Sequence, residues 1–297
     1  MNILFVSTIV LFVLLAAFII YRQAAMARQN RRPASLQDTL GSCRCLLQLL
    51  TNMQQHRGMS TAWLSGDASF LLSMRERQAT INALLPEVLH QARRESESDT
   101  PCFTLNDASL FQFRWRDLVD SLASKTPEES VAEHSYLIAT VLEWLAALGE
   151  ARIEILIAEE QIGVARNYAH RLPVLAECLG QARAIGSAVA TRGACSPVAR
   201  VRLIFLVGRA ETLLQQAVQA NNCGQVTHAA QLAIREFSQM VRMDMLLSHG
   251  ISVNPQSYFR LATKAIDSVL AWVERNGRQL ETPDNRIEGW LINSPVA

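Results

Sequence analysis

The sequence predicts an all-α protein, and three observations carry that prediction. Apolar residues recur every three or four positions from Ser35 to about Val273, the period of a helix with one buried face. No stretch alternates with period two for long enough to form a sheet strand. Turn-forming clusters then cut the pattern into eight pieces: Gly66-Asp67, Ser96 to Pro101, Thr126-Pro127, Gly193 to Pro197, Asn221 to Gly224, Gly250 to Pro255 and Asn276-Gly277. Helices are expected at about 36–64, 68–95, 106–124, 127–160, 168–192, 197–220, 225–248 and 255–275. Eight antiparallel helices of this length imply two stacked antiparallel four-helix bundles, preceded by a single transmembrane helix.

Several helix starts are written into the chain. Thr126-Pro127-Glu128-Glu129 combines a capping hydroxyl, a proline at the first helical position and acids in the first turn. Ser196-Pro197 and Asn254-Pro255 repeat the cap-plus-proline device. Gly193 and Gly250 are expected C-terminal stops.

The transmembrane expectation rests on Ile3 to Ile20, an 18-residue apolar run broken only by Ser7 and Thr8. A cleaved signal peptide is the alternative, but the run is long for one and nothing basic precedes it beyond the α-amino group. Arg22, Arg28, Arg31 and Arg32 follow, with no acid before Asp38. The positive-inside rule then places the C-terminal domain in the cytoplasm, on an inner (cytoplasmic) membrane entered by residues 3–21. The expected organisation is an anchor at 1–22, a basic juxtamembrane linker at 23–35, a helical domain at 36–276 and a polar tail at 277–297.

Composition excludes several function classes. The formal net charge of +1 gives no electrostatic reason to expect nucleic acid as a partner. The six cysteines form no CxxC pair and have no histidine at zinc spacing, so no metal and no cofactor are expected; they read as buried small hydrophobes in a reducing compartment. The chain is not expected to be an enzyme. Glu87-Val88-Leu89-His90 is the one Glu-x-x-His, where a di-iron bundle needs two, and no P-loop, nucleophile elbow or zincin motif is present. The basic residues are 26 Arg and two Lys, so any anion site is built from planar forks.

The first helix holds the most informative stretch. Cys43, Leu46, Leu50, Met53, Arg57, Ser60 and Leu64 share one face. An arginine on such a seam needs a partner, and no acid lies within a turn of Arg57 on its own helix. The partner is a residue of another helix, such as Glu154 or Glu159, or a bound anion. Helix five echoes the pattern: Arg57-Gly58-Met59-Ser60-Thr61-Ala62 is matched by Arg183-Ala184-Ile185-Gly186-Ser187-Ala188. In both, an arginine precedes a small-residue cluster that allows close helix approach.

Gln55-His56-Arg57-Gly58-Met59-Ser60 resembles the first-helix signature of the nitrate- and nitrite-sensing (NIT) domain family. Gln181-Ala182-Arg183-Ala184-Ile185-Gly186 resembles its fifth-helix motif, and Pro255 to Ile266 the start of its last helix. The resemblance covers about Leu36 to Val273. It implies nitrate or nitrite held by arginines between two stacked bundles, with Arg57 and Arg183 at ligand positions. His56 stands where the family often has a second arginine, and Arg242 matches a helix-seven arginine, with Arg235 the alternative. Such domains usually carry an output module. Here only a largely polar tail of about 20 residues follows the last helical segment, so output is expected through a homodimer or a separate protein. A helical membrane-associated scaffold without a small ligand is the competing reading.

Overall fold

Side-chain caps set four of the eight long-helix starts among the described residues. The structure, a computed structural model, describes residues 35–281. Helix α1 spans Leu36–Leu64. Its expected seam is buried from Cys43 through Ser60, Arg57 included, and Leu64 is half-buried. A 3₁₀ turn, Ala68–Phe70, leads into α2, Leu71–Glu95; there the Asp67 carboxylate accepts from the Ser69 N–H. Helix α3, Leu105–Ser121, opens with a reciprocal capping box between Thr104 and Asp107. Helix α4, Pro127–Leu148, opens with the same device between Thr126 and Glu129.

Helix α5 spans Leu172–Arg192 and ends on Gly193, whose φ of 66° only glycine adopts freely. Helix α6 spans Pro197–Ala220, with Ser196 accepting from the Ala199 N–H. Helix α7 spans Gln225–Asp244, and α8 spans Pro255–Glu281, with Asn254 accepting from the Ser257 N–H. Among the described residues there are eight long helices and no strand.

The packing pattern closes twice. Helix α1 packs against α2 and α4, and α3 packs against the same two. Helix α5 packs against α6 and α8, and α7 against the same two. The two sets meet where α1 touches α5 and α8. Trp115 and Phe111 fill the first set; Trp272, Tyr258 and Phe237 fill the second.

Three boundaries differ from the sequence expectation. Helix α4 stops at Leu148 rather than running to 160, and the chain continues through a π turn, Gly149–Ile153, and a 3₁₀ turn, Glu154–Leu156. A 3₁₀ turn, Glu159–Gln161, a short helical turn, Ile162–Arg166, and a second π turn, Asn167–Arg171, then enter α5. The two π turns meet closely: a Cβ on Gly149 would lie 2.7 Å from the Ala169 Cβ. Helix α7 ends at Asp244, not 248, so Gly250 belongs to a loop. That loop is tied to the end of α5 by Ile251 N–H to Gly193 C=O and Cys195 N–H to Leu247 C=O.

Helix α8 runs through Asn276-Gly277 instead of stopping there. Both residues serve packing. Asn276 is buried, donating to the Trp272 carbonyl and accepting from Asn221. A Cβ on Gly277 would lie 2.8 Å from the Tyr168 ring.

All six cysteines are free, with Cys43, Cys45, Cys178 and Cys195 buried. Burial pushes the Cys43 thiol up to about 12 and Cys178 to about 11, so both are inert at neutral pH. Among the described residues no helix is long and apolar enough to cross a membrane. The expected span at 3–20 lies outside them.

Candidate functional site

Two arginines face each other across the meeting of the two helix sets. On α1, the Arg57 guanidinium is buried and donates to Glu177 of α5 through both terminal nitrogens, Nη1 to Oε1 at 2.6 Å and Nη2 to Oε2 at 3.1 Å. Nη1 also donates to the Ser135 hydroxyl of α4 at 2.9 Å. The carboxylate accepts two further bonds, from Gln54 Nε2 at 2.9 Å and Gln181 Nε2 at 2.8 Å. Glu177 is 5% exposed. This is the geometry in which a buried pair is tolerated: bidentate, with the remaining lone pairs satisfied.

The second arginine has no such neutraliser. Arg183 of α5 donates from Nη1 to the Thr263 hydroxyl of α8 at 3.0 Å, and its guanidinium lies 4.8 Å from the centre of the Phe259 ring. Among the described residues no carboxylate reaches it at ion-pair distance. Burial, then the Arg57 charge, lowers its pKa, against smaller opposing effects of Asp267 and Glu177. A guanidinium stays charged regardless, so the shift measures how poorly this cation is solvated.

Glycines make room for this approach, as the echoed motifs suggested. A Cβ on Gly180 of α5 would lie 3.1 Å from Arg57 Nη2, and a Cβ on Gly58 of α1 would lie 3.9 Å from Arg183 Nη2. Each guanidinium thus sits over a glycine of the opposite helix. One turn on, Gly186 admits the Tyr258 phenol, which donates to the Ala182 carbonyl at 2.7 Å. A Cβ there would lie 1.9 Å from the phenol oxygen.

The other two expected site residues stand elsewhere. His56 is fully buried, and its Nδ1 lies 2.7 Å from Nε2 of His134. His134 Nδ1 donates to the Ser130 carbonyl at 2.7 Å, so its Nε2 accepts and His56 donates. The His56 ring meets Trp115 edge-on at 4.9 Å, and its own Nε2 is buried without a partner. Burial brings His56 down to about 4; burial, then the facing His56, brings His134 down to about 3. His56 is thus a neutral, hydrogen-bonded imidazole turned away from the Arg57–Glu177 contact.

Arg242 is exposed and paired with Glu211 of α6 at 2.7 Å. It lines an open groove of about 570 Å³ between α6 and α7, together with Arg235, Gln215, Gln239 and Ser238. The groove lining includes neither Arg57 nor Arg183.

Sequence reasoning missed Glu177 as the partner of Arg57. The signal was present: it is the single acid of α5, three residues before a glycine on an otherwise apolar helix. Gln54, Ser135 and Thr263 carry no comparable signal, because short polar residues occur throughout helical surfaces.

The sequence profile of the nitrate and nitrite sensing family matches residues 48–281. A solved structure of the NasR transcription antiterminator superposes with a TM-score of 0.66 at 18% identity, covering 88% of this chain and 73% of that one. At that identity the likeness concerns the fold. Among curated proteins none matches the chain.

Proposed function

We propose, from the premise that this chain belongs to the nitrate and nitrite sensing family, that the α1–α5–α8 seam binds nitrate or nitrite. The observation that carries the reading is Arg183: a half-buried guanidinium, beside Arg57, with no carboxylate at pairing distance among the described residues. Nitrate spreads one charge over three coplanar oxygens, which matches the planar N–H donors of arginine. The bonds to Thr263, Ser135 and Glu177 use one hydrogen of Arg183 and three of Arg57, from five on each. Donors therefore remain on both sides of the seam.

In this reading the two helix sets are stacked antiparallel four-helix bundles that share the site. Two like charges in one seam repel, and an anion between them reverses that term. Binding draws α1 against α5 and α8, and the movement passes to a homodimer or a separate output protein. Arg242 stands outside this ligand set, exposed and paired with Glu211. The apolar run at 3–20 anchors the domain to a membrane with the helical part in the cytoplasm. A reporter fused after Ala297 tests that orientation, and activity as a periplasmic rather than a cytoplasmic fusion sinks it.

The test of binding is thermal unfolding of the full chain with nitrate, nitrite and chloride at equal ionic strength. Ligand at about a hundred times its Kd stabilises by about 2.7 kcal/mol. Arg183→Ala should remove the increment. A wild type indifferent to both anions overturns the reading. It would favour a scaffold whose seam is a structural ion pair, a view the bidentate Arg57–Glu177 contact supports.

A further inference from the structure

The charges of the seam, buried on Arg57 and Glu177 and half-buried on Arg183, do not cancel. Arg57 and Arg183 bring two positive charges and Glu177 one negative, leaving one net positive charge. Glu177 is fixed in place: four donors from Arg57, Gln54 and Gln181 hold its two oxygens. Pulling it off Arg57 would strand a carboxylate that is 5% exposed, which is among the costliest changes a protein interior can undergo. A ligand therefore adds to this carboxylate rather than replacing it. Asp267 faces Arg183 from α8 and acts on it at least as strongly as Glu177 does, but it is exposed and makes no ion pair with Arg183 among the described residues, so water and salt screen it from an anion within the seam.

We propose that Glu177 is the residue that sets the valence of the anion: by holding the seam at one net positive charge, it selects monovalent oxyanions and rejects divalent ones such as sulfate. This rests on the seam being the anion site. A monoanion brings the buried cluster to neutrality. A dianion of similar size is attracted more strongly by the same charge, but it costs far more to dehydrate and leaves one uncompensated negative charge beside Glu177. At about 6 Å and an effective dielectric of about 20, one unit of charge changes affinity by about a hundredfold. Shape alone gives no comparable discrimination, since the open side of Arg183 meets an exposed Phe259 rather than a closed wall.

The experiment compares nitrate and sulfate binding, at matched ionic strength, to three forms of the full chain: wild type, Glu177→Gln, and Arg57→Gln combined with Glu177→Gln. Glu177→Gln keeps the side-chain shape and raises the cluster to two positive charges. Its nitrate-to-sulfate affinity ratio should fall from about a hundred to about one or below. The double variant removes one charge of each sign, strands neither, and returns the cluster to one positive charge. Its ratio should resemble the wild type's even if both affinities drop, and it carries the test if Glu177→Gln alone does not fold. An unchanged ratio in Glu177→Gln, or a double variant that takes sulfate as readily as nitrate, overturns the assignment while leaving the anion site standing. No nitrate response in any of the three forms overturns the site itself, and this assignment with it.

Discussion

Two Arg–Glu pairs of nearly equal length sit in opposite surroundings in this protein. Arg57–Glu177 measures 2.6 Å with its side chains 3% and 7% exposed, while Arg242–Glu211 measures 2.7 Å at 44% and 38%. Distance alone would rank them together. Burial separates them, because removing one partner in the interior strands the other without water, whereas at the surface water replaces it. The same contrast divides the arginines by role. The buried seam holds a cation in excess of its carboxylates; the groove between α6 and α7 holds a solvated pair.

The largest expected effect tests the buried side of that contrast. Arg57→Ala in the absence of any ligand strands Glu177 beside Gln54 and Gln181, and should destabilise the fold by about 3–5 kcal/mol. Urea midpoints of wild type and variant at neutral pH measure it. A loss below about 1 kcal/mol, the range of a surface pair, would mean Glu177 relaxes into solvent and the contrast drawn here is wrong.

A second effect sharpens the description of the seam's neighbour. His56 and His134 are held neutral by burial, at about 4 and about 3, against about 6.5 for a free histidine. Above pH 6.5 neither the folded nor the unfolded chain protonates them, so that stability is fully present. As pH falls below 6.5 the unfolded chain takes up protons that the folded chain refuses. Stability should fall by about 1.4 kcal/mol per pH unit for each histidine, until pH drops through the folded values. His134→Gln should roughly halve the slope between pH 6.5 and 5. A wild type whose midpoint is flat over that window would show that the pair accepts a proton in the folded state.

The close approach that brings the seam together is a third target. Gly186→Ala places a methyl where the Tyr258 phenol lies, and overpacking of this kind costs about 1–3 kcal/mol. The ring carbons Cζ and Cε1 would lie 2.1 and 2.5 Å away as well, so Tyr258→Phe in the same background should recover little, whereas Tyr258→Leu, which removes the ring, should recover part of the loss. Failure to recover would place the strain in the α5 backbone instead.

These contrasts also mark what was legible in the chain. Helix number, most caps and the buried seam of α1 follow from periodicity and short-range hydrogen bonding, which act locally and leave their trace in sequence. Asn276-Gly277 misled because a stop signal and a packing device look alike: only the Tyr168 ring across from Gly277 distinguishes them. Arg57 announced itself as a cation in need of a partner, and the expected glutamates, Glu154 and Glu159, lay on the wrong turn. Glu154 instead takes Arg166 at 2.9 Å. His56 lies off the seam for a related reason. Its neighbour in sequence faces α5, but one residue is about 100° of helix, and that rotation turns the imidazole toward His134 and Trp115.

The smallest expected effect closes the contrast from the exposed side. Arg242 resembles Arg57 in its bond to a glutamate, and its sequence position suggests a ligand role. Both partners are well exposed, so each keeps most of its hydration when the other is removed. Arg242→Ala should therefore change stability by about 1 kcal/mol or less, with a further decrease of the effect at high salt. It should also leave any nitrate-dependent shift in melting temperature intact, while Arg183→Ala abolishes it. A variant of unchanged stability that nonetheless loses the nitrate shift would bring α7 into the anion site. The groove would then have to close toward the seam when ligand binds, bringing a further arginine onto the anion.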